Sequence, residues 1–206
     1  MKMVDGNFAT PLSARKIKVS EIGFDFDGVI ADTAEAFIRL SCEDYGYCDF
    51  TRKDITNFEL ENCVNMPMEI VERIFTQILE DSLGANLQPM AGALRALDRL
   101  TAGGQVTIIT ARSRTEPVID WLTHHCKADT ANRITVVATG DHDDKVRHVK
   151  ARRITYFVDD RAATCNQLAK AGIVPIVFTQ PWNAGKHALY AVDGWEELLD
   201  LIDSAR

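Results

Sequence analysis

The chain has 206 residues, of which 46% are hydrophobic and 26% charged, with a formal net charge of −7 at pH 7. That is the balance of an ordinary globular protein, long enough for one α/β domain with a modest insertion and short for two full domains. The negative charge argues against a long nucleic-acid backbone as partner, no apolar run is long enough to span a bilayer, and a small anionic substrate stays open because a bound cation reverses the local field.

Residues 1–14 read as a loose tail. Residues 17–26 then read as the first strand, ending in an apolar run and broken by Gly28. A helix follows from Thr33 to about Tyr45 with Asp32 as N-cap. Residues 46–66 are polar and irregular. Pro67 opens a second helix to about Leu83, with Ile70, Val71, Ile74, Ile78 and Leu79 as its apolar stripe and Gly84 as its stop.

Ala91–Leu100 is helical and closed by Gly103-Gly104. Val106–Ile109 is a short apolar strand of the kind covered on both faces. Ser113 and Glu116 make a capping-box pattern for a helix to about His125. Strands at 134–138, 154–158 and 176–178 alternate with helices at 144–152 and 162–171, and a last helix covers 195–202. This alternation predicts an α/β fold with a doubly wound, mostly parallel sheet. Residues 33–88 interrupt it with helix signals alone and read as a small helical cap inserted after the first strand, so that residues 15–32 and 89–206 form the core.

In such sheets the site lies beyond the carboxyl ends of the strands. Those ends carry Asp25-Phe26-Asp27-Gly28, Thr110-Ala111-Arg112 and Asp159-Asp160. Carboxylates at i and i+2 of an extended chain project to the same side, roughly 6.6 Å apart along it. One can attack while the other, beside Gly28, handles a proton. Four converging carboxylates repel one another without a cation, and hard cations such as Mg2+ favour carboxylate oxygens. Thr110 and the backbone N–H groups of Phe26 and Ala111 can donate to an anion, and Lys145, at the start of a helix, can neutralise it. Taken singly, Thr110 or Lys145 would be an ordinary packed or solvated residue, and Asp160 an ordinary N-cap.

The set resembles the haloacid dehalogenase-like phosphatase superfamily, in four places and in the right order. Asp25-Phe26-Asp27-Gly28-Val29 is similar to its first motif, Ile108-Ile109-Thr110 to the second, Lys145 to the third and Val158-Asp159-Asp160 to the fourth. The resemblance implies a Rossmann-like core and a magnesium-dependent phosphomonoesterase working through an aspartyl-phosphate. It makes Asp25 the nucleophile and Asp27 the general acid, then base. Mg2+ would lie on Asp25, the backbone oxygen of Asp27, and Asp159. Thr110 and Lys145 would hold the phosphoryl group, with Asp160 orienting Lys145 from behind.

Asp27 favours phosphate-ester chemistry over dehalogenation, where the second acid is absent. A phosphonatase would need a cap lysine, and Lys53 is the sole candidate. A receiver-type phosphorylatable domain has its acidic pair early and its phosphorylated Asp later, the reverse of the order here. The segment Phe178-Thr179-Gln180-Pro181-Trp182-Asn183 resembles a late segment of the 5'(3')-deoxyribonucleotidase branch. It implies a nucleoside monophosphate as substrate, with sugar phosphates or other small esters as the alternative. Ala111, Arg112 and Asn183 are then expected to bind substrate. Among the cap aromatics, Phe37, Tyr45, Tyr47, Phe50 and Phe58 are candidates to stack on a base, although residues such as Phe37 and Phe58 more often belong to a core.

The five cysteines, Cys42, Cys48, Cys63, Cys126 and Cys165, are odd in number and lack a C-x-x-C, so free thiols in a reducing compartment are expected. With no apolar h-region in residues 1–15, a cytoplasmic protein is expected. His124-His125-Cys126 and Asp129 fit no zinc spacing, and the basic run from Lys145 to Arg153 reads as a solvated helix face. Nothing in the sequence indicates the oligomeric state.

Overall fold

The computed structural model describes residues 16–203; the expected tail at 1–14 lies outside them. Six parallel strands form one sheet in the order β4-β3-β2-β5-β6-β7. They are β2 (Ile22–Phe24), β3 (Val106–Thr110), β4 (Ile134–Ala138), β5 (Tyr156–Asp159), β6 (Val174–Phe178) and β7 (Ala191–Val192). Outside this sheet, β1 (Ile17–Lys18) pairs in parallel with β8 (Ile202–Asp203), joining the two ends of the described chain. The expected first strand is therefore two pieces, separated by a 3-10 turn at Val19–Glu21 where the Lys18 N–H donates to the Glu21 carboxylate.

The helices are α1 (Thr33–Tyr45), α2 (Met68–Glu80), α3 (Ala93–Gly103), α4 (Glu116–His125), α5 (Ala128–Ala131), α6 (Lys145–Ala151), α7 (Ala162–Lys170) and α8 (Trp195–Leu201). Asp32 caps α1 as expected, its Oδ1 accepting from Glu35 N at 3.0 Å. The expected capping box at Ser113 is not formed. Thr115 precedes α4, no side chain caps it, and Pro117 sits in its first turn, where a missing N–H costs nothing. The short α5, β7 and β8 carry too few residues for a periodic signal.

The core is built on the sheet. Phe24, Phe26, Ile108, Val158 and Ile176 are fully buried, as runs covered on both faces should be. Trp121 meets the Phe26 ring edge-on at 5.1 Å, and Trp195 lies 5.5 Å from Phe24. Both indoles also donate to backbone carbonyls, Trp121 to Leu87 and Trp195 to Val29.

Residues 33–88 add no strand to the sheet; α1 and α2 pack on each other, with Phe37 stacked on Phe75 at 5.2 Å. The two ends of this helical insertion run side by side. Asp32 N donates to Gln88 O at 2.7 Å, Met90 N to Ile30 O at 2.8 Å, and Ala31 faces Pro89 in an antiparallel bridge. Arg52 reaches back to the core, pairing with Asp32 and with Gln180.

The expectation of five free thiols is corrected. Cys42, in the last turn of α1, is joined to Cys48 by a disulfide, with Cα atoms 4.4 Å apart; the left-handed Gly46 returns the chain between them. Cys63, Cys126 and Cys165 are free. Among the described residues no helix is long and apolar enough to cross a membrane.

Candidate active site

Strand β2 is central. From it the chain passes to β3 and β4 on one side, then crosses to β5, β6 and β7 on the other, so the order reverses between β2 and β5. Three neighbouring strands end there. Asp25 follows β2 and extends its ladder through Asp25 N to Val158 O at 2.8 Å. Thr110 ends β3 and Asp159 ends β5. Lys145, the first residue of α6, is fully buried and placed between them, its Nζ 2.5 Å from Asp25 Oδ2 and 2.7 Å from Asp159 Oδ2. The first, third and fourth motifs therefore meet in direct contact, and the second ends the strand beside them.

Asp25 is 4% exposed and Asp159 and Asp160 are also buried. Each of the three offers a carboxylate oxygen, and these oxygens all lie within 4.8 Å of one another. One ammonium faces three buried carboxylates. Burial drives the Asp25 carboxyl up from 3.8 to about 7, Lys145 opposes this, and the charges of Asp159 and Asp27 add to it. Burial, then Asp159 and Asp25, likewise push Asp160 well above the carboxylate range. Burial alone would lower Lys145, but Asp159 and Asp25 hold it above its ordinary value and keep it charged. A compact, all-oxygen, buried donor set with excess negative charge fits a hard divalent cation.

Two expectations change here. Asp160 does not orient Lys145; Asp25 and Asp159 do. The Asp160 carboxylate instead accepts from Trp182 Nε1 at 3.0 Å and joins the cluster of potential ligands. It does not cap α7 either, since Asp159 Oδ1 takes the Arg161 N–H at 2.8 Å. Gly28 lets the chain turn beneath it. At φ +71° it adopts a left-handed conformation, and a Cβ there would collide with the Asp160 carboxylate.

The Asp27 side chain lies outside this cluster. It accepts from Arg112 Nε at 2.9 Å and Nη2 at 2.8 Å, and from Thr33 Oγ1 at 2.6 Å. Burial alone would raise its pKa, but the Arg112 charge and hydrogen bonds, then Thr33 and Lys145, hold it below the usual carboxylate range. Thr110 is buried and its Oγ1 accepts weakly from Arg112 N at 3.3 Å. The Phe26 N–H donates to Asp25 Oδ1 at 2.7 Å.

Above the acids lies a cavity of about 640 Å3 between core and insertion. Asp25, Asp27, Asp160, Ala111 and Arg112 form its floor, and Phe37, Phe58, Phe75, Met68, Val71 and Leu79 much of its wall. Of the five expected aromatics, Phe37 and Phe58 face it; Tyr45, Tyr47, Phe50 and the exposed Lys53 do not. Asn183 does not either. Its Nδ2 donates to Asp160 O and Phe178 O and its Oδ1 accepts from Gln180 N, which fixes the loop after β6. Met68 and Phe75 were missed, and Val71 and Leu79 read only as part of the apolar stripe, although the four recur at the three-to-four-residue spacing of one α2 face. His142 also lines the cavity, edge-on to Phe58 at 5.4 Å; burial, then Lys145 and Arg161, lowers its pKa and keeps its imidazole neutral.

Residues 18–206 match the family model described as "5' nucleotidase, deoxy (Pyrimidine), cytosolic type C protein". The chain belongs to this family. Solved structures agree on the fold. A haloacid dehalogenase-like family hydrolase from Streptococcus pneumoniae superposes with TM-score 0.58 at 14% identity, over 87% of this chain and 96% of that one. A subfamily IA hydrolase of the same superfamily from Geobacter sulfurreducens gives 0.56 at 18%, over 91% and 96%. A dehalogenase gives 0.53 at 16%, over 92% and 98%. At such identities the likeness is one of fold. No curated protein sequence matches the chain. The chain is a hydrolase of the haloacid dehalogenase superfamily.

Proposed function

We propose that this family member is a magnesium-dependent phosphomonoesterase that hydrolyses nucleoside monophosphates through a phosphorylated Asp25. The observation that carries the reading is the meeting of Asp25, Lys145 and the Asp159–Asp160 pair, with Asp25 and Asp160 reaching the floor of an aromatic-walled cavity and Lys145 and Asp159 buried behind them.

Asp25, Asp159 and Asp160 would hold Mg2+, with the Asp27 carbonyl implied by the superfamily resemblance. When bound, the ion supplies positive charge against carboxylate and phosphoryl oxygens. In the first step an Asp25 oxygen attacks phosphorus and the P–O bond to the leaving alcohol breaks. Asp27 rests as a carboxylate, so it first takes up a proton from solvent beside the bound phosphate, whose negative charge favours this, and then gives it to that oxygen, which departs as the free alcohol. In the second step the Asp27 carboxylate takes a proton from water. The water oxygen attacks phosphorus, the Asp25–phosphorus bond breaks, and phosphate leaves with Asp27 protonated again. Lys145, with its ammonium on Asp25, and the Thr110 hydroxyl offset the charge on the phosphoryl oxygens.

The nucleotide is favoured by the family description and by the wall. Phe58 and Phe75 offer apolar ring surface to a base, with the buried Phe37 stacked behind Phe75, a contact worth about 1–3 kcal/mol in nucleic-acid binders. The insertion closes the cavity from above, which suits a small phosphorylated substrate rather than a polymer. Asp27 argues for ester hydrolysis over dehalogenation despite the dehalogenase neighbour. The family's cytosolic description suits a cytoplasmic protein, in which a reducing milieu would open the Cys42–Cys48 bond.

The test is a phosphate-release screen with Mg2+ over deoxyribonucleoside and ribonucleoside monophosphates and sugar phosphates, with Asp25→Asn as blank. Preferential release from nucleotides is expected. Release from sugar phosphates alone would discard the substrate class, and activity retained by Asp25→Asn would discard the mechanism.

A further inference from the structure

We propose that Arg112 is a positioning residue that ties the Asp27 carboxylate to the end of α2, making the seating of the helical insertion and the placement of the proton-transfer group a single event. This rests on the acid–base role proposed for Asp27.

Arg112 was expected to bind substrate, and it does line the cavity. Four of its five N–H donors, however, are already committed. Nε and Nη2 grip the two oxygens of Asp27 as a fork. Nη1 donates to Ser82 Oγ at 2.7 Å and to Leu79 O at 3.2 Å. The guanidinium also lies over the Phe26 ring, 4.9 Å from its centre. The Arg112 side chain is 3% exposed, while the Asp27 carboxylate it grips keeps 26% of its surface open toward the cavity.

Each partner has a physical reason to hold it. Leu79 is in the last turn of α2, where carbonyls lack helical partners and the helix end attracts a cation. A planar guanidinium fits a carboxylate through two parallel bonds, which a lysine ammonium cannot copy. Asp27 lies on the core, whereas Leu79 and Ser82 belong to the insertion, and Arg112 stands on the loop after β3 between them. A displacement of the α2 end would carry the fork with it and turn the Asp27 carboxylate away from the leaving oxygen. An arginine spent in this way has one Nη2 hydrogen left, so it cannot grip substrate through two parallel bonds without releasing Asp27.

The test compares leaving groups. Single-turnover release of the alcohol is followed for p-nitrophenyl phosphate, whose leaving group needs no proton, and for an alkyl phosphomonoester that the wild type turns over. In Arg112→Met the alkyl ester should slow by roughly 10²-fold, as misplacing a catalytic group by about 1 Å does. The nitrophenyl ester should change little and KM should hold. Arg112→Lys should restore the charge but not the rate. Ser82→Ala, a milder change that leaves the fork itself in place, should show the same selectivity more weakly. Equal loss for both esters, full rescue by lysine, or a raised KM with unchanged kcat would overturn the inference. Asp27→Asn is run alongside. If it shows leaving-group selectivity and Arg112→Met does not, only this inference fails; if it shows none, the acid–base reading fails too.

Discussion

Asp25→Asn should make the cation-free protein more stable at alkaline pH while destroying turnover. The Asp25 carboxyl stands at 3.8 in its ordinary state and at about 7 in the fold, chiefly through burial. The folded chain therefore holds a proton that the unfolded chain releases between those values, so stability falls as pH rises from about 4 to 7 and stays low above. The full displacement corresponds to about 4 kcal/mol at pH 8. Asparagine keeps the shape without the charge, but leaves Lys145 with Asp159 alone, so a net gain of about 2 kcal/mol is expected. For a chain of this size that is roughly 4–8 °C in Tm. Melting curves of both proteins in chelator at pH 5 and pH 8, repeated with excess Mg2+, read the effect. The variant's advantage should shrink at pH 5 and under Mg2+, which binds the wild-type carboxylate better. A variant less stable by the same margin at every pH would refute the charge argument and make Asp25 an ordinary packing residue.

Asp159→Ala should raise the Mg2+ concentration needed for half-maximal activity and free Lys145 from one of its two partners; an unchanged metal requirement would count against ligation. Gly28→Ala should cost at least about 1 kcal/mol for a left-handed alanine and more for the displaced Asp160, so both Tm and activity fall; an unchanged Tm would contradict the turn. Removing the Cys42–Cys48 bond by reductant or by Cys42→Ser should cost about 2 kcal/mol for a bridge six residues apart, read as a Tm that no longer responds to reductant in the variant.

The strand ends were legible because buried strands are apolar throughout and polar only where they leave the sheet. Asp25, Thr110 and Asp159 each follow such a run, so their convergence could be anticipated from order alone. Side-chain partnerships were not, because they depend on angles that periodicity does not carry. Asp160 is next to Asp159 in sequence yet serves Trp182 rather than Lys145. Asn183 belongs to a motif but spends its carboxamide on its own loop. In α2 the stripe of Ile70, Val71, Ile74, Ile78 and Leu79 reads as one core face, because the wall of a cavity and the wall of a core are both apolar, yet Ile74 and Ile78 are fully buried while Val71 and Leu79 line the cavity with Met68 and Phe75. The Cys42–Cys48 pair was missed since closing it depends on the reversal at Gly46, whose handedness composition does not reveal.

The side-by-side entry and exit of the insertion at Asp32 and Gln88 has a consequence for how such a chain can change. Ala31 and Pro89 meet in an isolated bridge outside the sheet, and the stretch strung between them adds no strand to it, so it contributes little to the pairing of the strands. Lengthening that stretch adds only a slowly growing entropic cost, about 0.6 kcal/mol per doubling of a flexible loop. Exchanging residues 33–88 for another helical hairpin would recast the shape of the chamber above Asp25, Asp159 and Asp160, but a replacement would have to supply anew the contacts of Thr33, Leu79 and Ser82 through which the insertion holds Asp27.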